Sequence, residues 1–203
     1  MWYVVDCAEG AQLVYGLKEG LTTRDLALAV EEGRIGDVMN YCPVEAGQTY
    51  FIPVGMLHAI GAGILIAEIQ QNSDLTYRAY DFDRVGADGK KRPLHVDKAL
   101  AVTRPYTEAQ VDAIRYARGR ECDEGELLAS SEFFKVRRLK VDNGVKLTAT
   151  EESFVSLLCI DGGGVIVLDG EEYAIAKGDS YFVPAGTGAF ALSGKMTVIA
   201  SEI

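Results

Sequence analysis

Two stretches of nine residues decide the fold of this chain. Gly47–Gly55 reads GQTYFIPVG and Gly178–Gly186 reads GDSYFVPAG, so that five of the nine positions are identical. Each stretch leads into an apolar segment interrupted by glycine, GAGILIAEI in the first copy and LSGKMTVIASEI in the second. A repeat of this kind predicts two related β-domains within one chain.

Short apolar segments separated by glycine extend outward from both copies. Trp2–Asp6 (WYVVD) predicts a buried strand, and the segment AQLVY at 11–15 predicts its hairpin partner. Residues 39–79 are rich in β-forming residues, and everything after Phe133 has the pattern of short strands. Many short strands at near-regular spacing are typical of a sandwich or barrel. We therefore expect a mainly β protein with two β-barrels.

Helical signals are confined to a few places. The sequences TTRD at 22–25 and TEAQ at 107–110 are capping-box patterns, which predict helices ending near Gly33 and Gly119. Residues 95–102 (HVDKALAV) predict one or two helical turns.

These signals divide the chain into three parts. We expect a first barrel over 1–105 with a helical insertion at 22–33, a helix and linker over 106–130, and a second barrel over 131–203. The linker prediction rests on the charged and small residues at 119–131.

The composition excludes several classes of function. The chain has 20 basic and 30 acidic residues, a net charge of −10, which argues against a nucleic-acid-binding or basic membrane surface. A cationic pocket for a phosphorylated small molecule must therefore be local.

No apolar run reaches the ~20 residues of a membrane span, and the start lacks signal-peptide features. The cysteines are far apart without a C-x-x-C pair, which favours reduced thiols at Cys7, Cys42, Cys122 and Cys159.

The first copy of the repeat continues to a histidine, in the spacing Gly47-x5-Pro53-x-Gly55-x2-His58. The glycines permit tight turns and the proline fixes φ, so that the following strand places His58 in a barrel mouth. A neutral imidazole there can bind a metal, although a structural histidine is the alternative. The second copy has Ala189 at this position, and we expect no metal ligand in the second barrel.

This spacing resembles a sequence motif of the cupin superfamily. Residues 68–84 (EIQQNSDLTYRAYDFDR) are similar to the active-site region of type I mannose-6-phosphate isomerases of the short bacterial class. The segments WYVVD, YFIPVGMLHAI and RPLHVDKAL resemble that family too, so that the resemblance covers essentially the whole chain. It implies a bicupin fold, one zinc ion, and interconversion of mannose 6-phosphate and fructose 6-phosphate.

The resemblance also assigns roles to individual residues. His58 matches a zinc ligand, Arg78 matches the arginine treated as catalytic, and Glu68 matches an acidic active-site residue. Arg84 matches a cationic residue near the substrate phosphate. Simpler roles remain for three of them: Glu68 as a polar residue at a barrel rim, Arg78 as a structural arginine stacked between tyrosines and paired with Asp81 or Asp83, and Arg84 as a solvated surface charge. His95 is expected to be structural.

The implied chemistry suits these residue types. Aldose–ketose isomerisation moves a proton between C1 and C2 through an enediol, which requires a general acid and base such as Glu68. The developing oxyanion needs stabilisation, which zinc and the Arg78 guanidinium can supply. Arginine also suits the phosphate group, because its forked donors match phosphate oxygens.

The resemblance places the other zinc ligands of the family, a Gln-x-His pair and a Glu, before the WYVVD strand. We therefore expect the chain to lack an N-terminal portion and the first barrel to be incomplete. The repeat agrees, because residues 133–154 precede Leu157–Asp161 in the second copy, whereas nothing precedes the equivalent Trp2. The expectation is weak zinc binding, low activity, and an open strand edge that favours a homo-oligomer.

Two other functions stay open at this point. One is a non-catalytic cupin that binds a sugar or regulates a partner, which the missing ligands favour. The other is a different cupin sugar-phosphate isomerase or epimerase. For the isomerase, the expected ligand is a small sugar phosphate and the expected location is the cytoplasm, with neither nucleic acid nor membrane as a partner.

Overall fold

A computed structural model describes residues 1–82 and 84–203. The chain divides into two compact units, Met1–Val111 and Asp112–Ile203, and β-strands dominate both. The prediction of a mainly β protein is confirmed. Asp83, one of the carboxylates predicted to pair with Arg78, lies outside the described residues.

The first unit contains two antiparallel sheets of three strands, in the orders β4-β1-β6 and β3-β2-β5. The apolar side chains of the two sheets pack together, with Trp2, Val4 and Leu13 almost fully buried. The strands are β1 (Trp2–Cys7), β2 (Gln12–Leu17), β3 (Met39–Pro43), β4 (Thr49–Tyr50), β5 (His58–Ile60) and β6 (Ile64–Glu68).

The helices begin where the capping patterns predict. In α1 (Thr23–Glu31), the Thr22 hydroxyl accepts from the Asp25 backbone while the Asp25 carboxylate accepts from the Thr22 backbone. α1 packs Leu26 and Ala29 into an apolar cluster with β2 and β3. The others are a 3₁₀ turn (Ile35–Asp37), α2 (Val96–Val102) and α3 (Glu108–Arg115), which spans the boundary between the units.

The second unit is a sheet in the order β11-β10-β13-β8-β7, with β12 paired to β10 and β9 paired to β13. Its core is entirely apolar, built around Leu157, Leu192 and Val198. The strands are β7 (Glu126–Ser130), β8 (Lys135–Val141), β9 (Val145–Ala149), β10 (Val155–Leu168), β11 (Glu171–Ala176), β12 (Ser180–Val183) and β13 (Gly188–Glu202).

The two copies of the repeat have the same backbone hydrogen bonds. The Val4 N–H donates to the Gln48 carbonyl at 2.9 Å, and the Cys159 N–H donates to the Asp179 carbonyl at 3.0 Å. Each unit also has a β-bulge at the equivalent step, directly after Val4 in β1 and directly after Cys159 in β10. The repeat seen in the sequence is therefore a repeat of structure.

The two units differ at the strand that follows the repeat. In the second unit, β13 pairs with β10 on one edge and with β8 on the other. In the first unit, β6 pairs with β1, and no further strand of the described residues pairs with its other edge. An open edge of this kind presents unpaired backbone groups.

The predicted linker at 119–131 contains a strand. β7 pairs with β8, and Leu128–Ser130 are buried. The sequence alone does not indicate β7, since charged residues precede this strand and only two of its five side chains are large and apolar.

All four cysteines are free thiols, and burial raises the pKa of Cys42 and of Cys159. Among the described residues, no helix has both the length and the apolar character that crossing a membrane requires.

Substituting Leu13→Ala tests the core of the first unit. Leu13 is fully buried beside Trp2, so the substitution leaves a cavity, and we expect the free energy of unfolding to fall by about 2–5 kcal/mol. Urea unfolding followed by the fluorescence of Trp2, the single tryptophan, measures the change. The control Leu65→Ala, at a position that is 56 % exposed, is expected to cost less than about 1 kcal/mol. Equal losses in both variants would contradict this account of the core.

Candidate functional site

His58 begins β5 directly after the turn of the first copy. The turn requires glycine, because Gly55 has φ +86° and a Cβ there would collide with the Val102 carbonyl. The His58 side chain is exposed, and its Nδ1 lies 2.7 Å from the Met56 carbonyl oxygen. Since a carbonyl only accepts, Nδ1 carries the proton and donates. This leaves Nε2 as the atom that can bind a metal.

Trp2 connects His58 with Glu68. Its indole N–H donates to a Glu68 carboxylate oxygen at 2.9 Å, and its ring meets the imidazole of His58 edge-on with centroids 5.3 Å apart. His58 lies on β5 and Glu68 on β6, in different sheets, and Trp2 on β1 lies against both side chains. The structure therefore brings together two of the predicted site residues, through a tryptophan that sequence reasoning treated as a strand residue.

The donor set at this place is incomplete for zinc. It offers one imidazole nitrogen and one carboxylate, whereas a catalytic zinc site uses about three protein ligands. No group of three histidine, cysteine, aspartate or glutamate side chains in a metal-binding arrangement occurs among residues 1–82 and 84–203. The described residues alone therefore do not fit a catalytic zinc ion.

Arg78 is held by the segment that precedes α2. Its backbone N–H donates to His95 Nδ1 at 3.3 Å, and its carbonyl accepts from the His95 N–H at 2.8 Å. One terminal nitrogen of the guanidinium donates to the Pro93 carbonyl at 3.2 Å. The RPLH segment therefore fixes Arg78, and the structural role predicted for His95 is what these bonds provide.

Asp81 is a buried carboxylate surrounded by arginines. Arg92 donates to both of its oxygens, and Arg78 Nε lies 3.8 Å from one of them. The hydrogen bond from Arg92 is the main cause that holds the pKa of Asp81 below its ordinary value, and the charges of Arg78 and Arg84 lower that pKa further. The same bond raises the pKa of Arg92. Arg92 and Arg78 thus contact the Asp81 carboxylate and the charge of Arg84 acts on it, which makes a local cationic cluster in an acidic chain.

Arg84 lies at the edge of this cluster and beside β5. Its guanidinium carbon is 5.7 Å from the centroid of the Phe82 ring, and its side chain is exposed. It lines a cavity of about 230 Å³ together with residues from the far end of β5, including Ile60 and Gly61. His58 stands at the other end of that strand, two residues and about 7 Å from Ile60 at ~3.3 Å per residue.

The predicted site residues therefore form two groups. His58 and Glu68 meet at Trp2, whereas Arg78 and Arg84 meet around Asp81. Within the described part of the chain, neither arginine forms a hydrogen bond or ion pair with His58 or Glu68. Sequence reasoning missed Trp2 and Arg92 as site residues, although both lie in segments, WYVVD and RPLHVDKAL, that carry the family resemblance.

The second copy offers no comparable site. Ala189, at the position of His58, pairs with Thr148 in the β9–β13 ladder. The positions of Val4 and Trp2 are taken by Cys159 and Leu157, both buried in the apolar core cluster of the second unit. The predicted site residues therefore all lie in the first unit.

Comparison with known proteins agrees with this description. Residues 123–203 match the family described as the cupin domain of mannose-6-phosphate isomerase. Over the whole chain, the structure is similar to the crystal structure of the mannose 6-phosphate isomerase from Bacillus subtilis, with a TM-score of 0.84 and 29 % identity. The match covers 100 % of this chain and 63 % of that one.

Sequence relatives extend over the full chain as well. The chain is 35 % identical over 202 residues to a mannose-6-phosphate isomerase of Streptococcus mutans, covering 99 % of this chain and 62 % of that protein. It is 31 % identical over 202 residues to ManA, a mannose-6-phosphate isomerase of Bacillus subtilis, covering 100 % and 63 %. The chain thus spans less than two thirds of the length of these relatives. The chain matches the cupin domain of mannose-6-phosphate isomerase over residues 123–203, and over its full length it is similar in sequence and in fold to mannose-6-phosphate isomerases.

Proposed function

We propose that this chain carries the catalytic unit of a zinc-dependent isomerase that interconverts mannose 6-phosphate and fructose 6-phosphate, as the names of its relatives suggest. The observation that supports the proposal is that Trp2 contacts both the imidazole of His58, whose Nε2 is available, and the carboxylate of Glu68. The proposal includes a bicupin architecture, in which the first unit is the active one and the second is structural.

Glu68 is the proposed general acid and base. In the open-chain aldose, its carboxylate takes the proton from C2 and returns it to C1, while the hydroxyl proton on O2 passes to O1 through the enediol. The indole N–H of Trp2 fixes one carboxylate oxygen, so the other oxygen is left to reach the substrate. Exchange of one proton between two adjacent carbons needs only one such group.

Arg78 and Arg84 are proposed to meet the negative charges of the substrate. Arg78 stabilises the oxyanion of the enediol, and Arg84 binds the phosphate from the edge of the cationic cluster. The cluster supports this assignment, because the side chains of Arg78, Arg84, Arg92 and Asp81 together carry a net charge of +2. A sugar phosphate as substrate also makes the cytoplasm the proposed location.

The metal is proposed to bind His58 Nε2, with the remaining ligands from the portion of such proteins that this chain does not span. If held by such a ligand set, zinc would supply Lewis-acid polarisation of the substrate oxygens. The incomplete donor set among the described residues also favours a second candidate, a non-catalytic cupin that binds a sugar phosphate or regulates a partner.

Cobalt(II) tests His58 as a metal ligand. Cobalt is an open-shell substitute for zinc that quenches indole emission at short range, and Trp2 is the only tryptophan, with its ring 5.3 Å from that of His58. We expect weak quenching that zinc reverses and that His58→Ala abolishes. The control is His95→Ala, which removes the only other histidine and is expected to retain the quenching. Quenching that survives His58→Ala would rule out His58 as the ligand.

Isotope exchange tests the reaction. In D₂O with zinc, wild-type chain is expected to exchange the C2 proton of mannose 6-phosphate slowly, and more slowly than ManA measured beside it, because the described residues offer only His58 and Glu68 as metal donors. Glu68→Gln keeps an acceptor for Trp2 but cannot take a proton, and we expect exchange to fall about 100-fold or more. NMR of the sugar measures exchange, and a coupled fructose 6-phosphate assay measures turnover.

The matched control for Glu68→Gln is Glu45→Gln, which removes the same charge at an exposed residue of the first unit. Its exchange rate is expected to equal that of wild type. Exchange unaffected by Glu68→Gln would contradict the proposed base. Tight binding of mannose 6-phosphate with no exchange would favour the non-catalytic candidate.

A further inference from the structure

The inference concerns the carboxylate of Asp81 and the two arginines that compete for it. Arg92 Nε donates to Asp81 Oδ2 at 2.8 Å and a terminal nitrogen of Arg92 donates to Oδ1, so this guanidinium occupies both oxygens. Arg78 Nε is 3.8 Å from Oδ1, which is beyond hydrogen-bond distance. Asp81 is therefore hydrogen-bonded to the arginine eleven residues away in sequence, whereas the one three residues away forms only a longer ion pair with it.

This choice of partner determines what Arg78 can do. Arg78 has one guanidinium donor on the Pro93 carbonyl, and within the described residues its other guanidinium N–H groups form no hydrogen bond. Its backbone is fixed on both sides of the peptide by His95, so the guanidinium moves only through its own side-chain torsions. A free carboxylate at this distance would be taken up by Arg78, because a two-point bond between arginine and carboxylate is strong and specific in geometry.

We propose that Arg92 is a positioning residue for Arg78, because it takes both oxygens of Asp81 and thereby keeps the Arg78 guanidinium from a two-point bond to that carboxylate, so that its remaining N–H groups can bind an anionic substrate. This inference rests on the proposed role of Arg78 in binding a sugar phosphate. Arg92 is half exposed and contacts Asp81 from the loop side, so it needs no contact with the substrate to act. Its effect is exerted entirely through Asp81.

A pair of substitutions separates this role from a merely structural one. In Arg92→Met, Asp81 loses its partner and binds Arg78, so we expect the affinity for mannose 6-phosphate to fall about tenfold or more. Adding Asp81→Asn removes the competing charge, and the double variant is expected to regain most of the affinity. If Arg92 only stabilised the loop, the double variant would bind no better than the single one.

Titration calorimetry with mannose 6-phosphate, and with inorganic phosphate as a second probe, measures the affinities. Arg34→Met is the matched control, because Arg34 also pairs with two acidic residues in the first unit but lies outside the cluster. It is expected to bind as wild type does. A double variant that binds as weakly as Arg92→Met would overturn the proposal.

Hydrogen exchange of the Arg78 Nε–H, followed by NMR, gives an answer independent of substrate. We expect exchange with water to slow in Arg92→Met, where Asp81 accepts from this group, and to return to the wild-type rate in the double variant. An unchanged rate in Arg92→Met would overturn the proposal. If wild type bound neither probe, the proposed function would fail, whereas the exchange rates would still decide whether Arg92 positions Arg78.

Discussion

The indole of Trp2 is the contact on which the geometry of the candidate site depends. It is 2 % exposed and lies on the central strand of its sheet, where it packs with the apolar side chains of both sheets of the first unit. A buried tryptophan needs a partner for its N–H, and here that partner is the Glu68 carboxylate. The position of the catalytic candidate is therefore coupled to the packing of the core. A shift of β1 would displace Glu68 and the edge contact to His58 together.

Local sequence features predict much of the fold, because each of them sets the backbone conformation of residues close by in the sequence. The glycines at the turns, the capping boxes at Thr22 and Thr107 and the repeat itself each fix backbone geometry within a few residues. β7 was missed because its place in the sheet comes from pairing with β8, and its sequence alone carries too few large apolar residues to show this. The open edge of β6 likewise becomes visible only when its pairing is compared with that of β13.

The candidate site was predictable to a smaller extent. His58 follows a turn motif with a recognisable spacing, and the structure shows why that spacing leaves one imidazole nitrogen free. The bond between Asp81 and Arg92 joins residues across an exposed loop, and no periodicity of the sequence indicates which of the arginines near Asp81 will take it. Such competition is settled by distances in the folded chain. The roles of Glu68, Arg78 and Arg84 accordingly stay predictions, although the structure groups them into two neighbourhoods.

The acidity of the chain and an anionic substrate are compatible because electrostatic interactions are local. At physiological ionic strength, charges at the surface are largely screened beyond about 8 Å, so most of the net charge of −10 is not felt at Asp81. In the part of the chain that the structure describes, the charged groups that act on the Asp81 carboxylate are the guanidiniums of Arg92, Arg78 and Arg84. Arg92 bonds to both oxygens of Asp81, so the charge of Arg92 is paired with that carboxylate. The charges of Arg78 and Arg84, the two arginines that the family resemblance assigns to the substrate, are not neutralised by a hydrogen bond to Asp81.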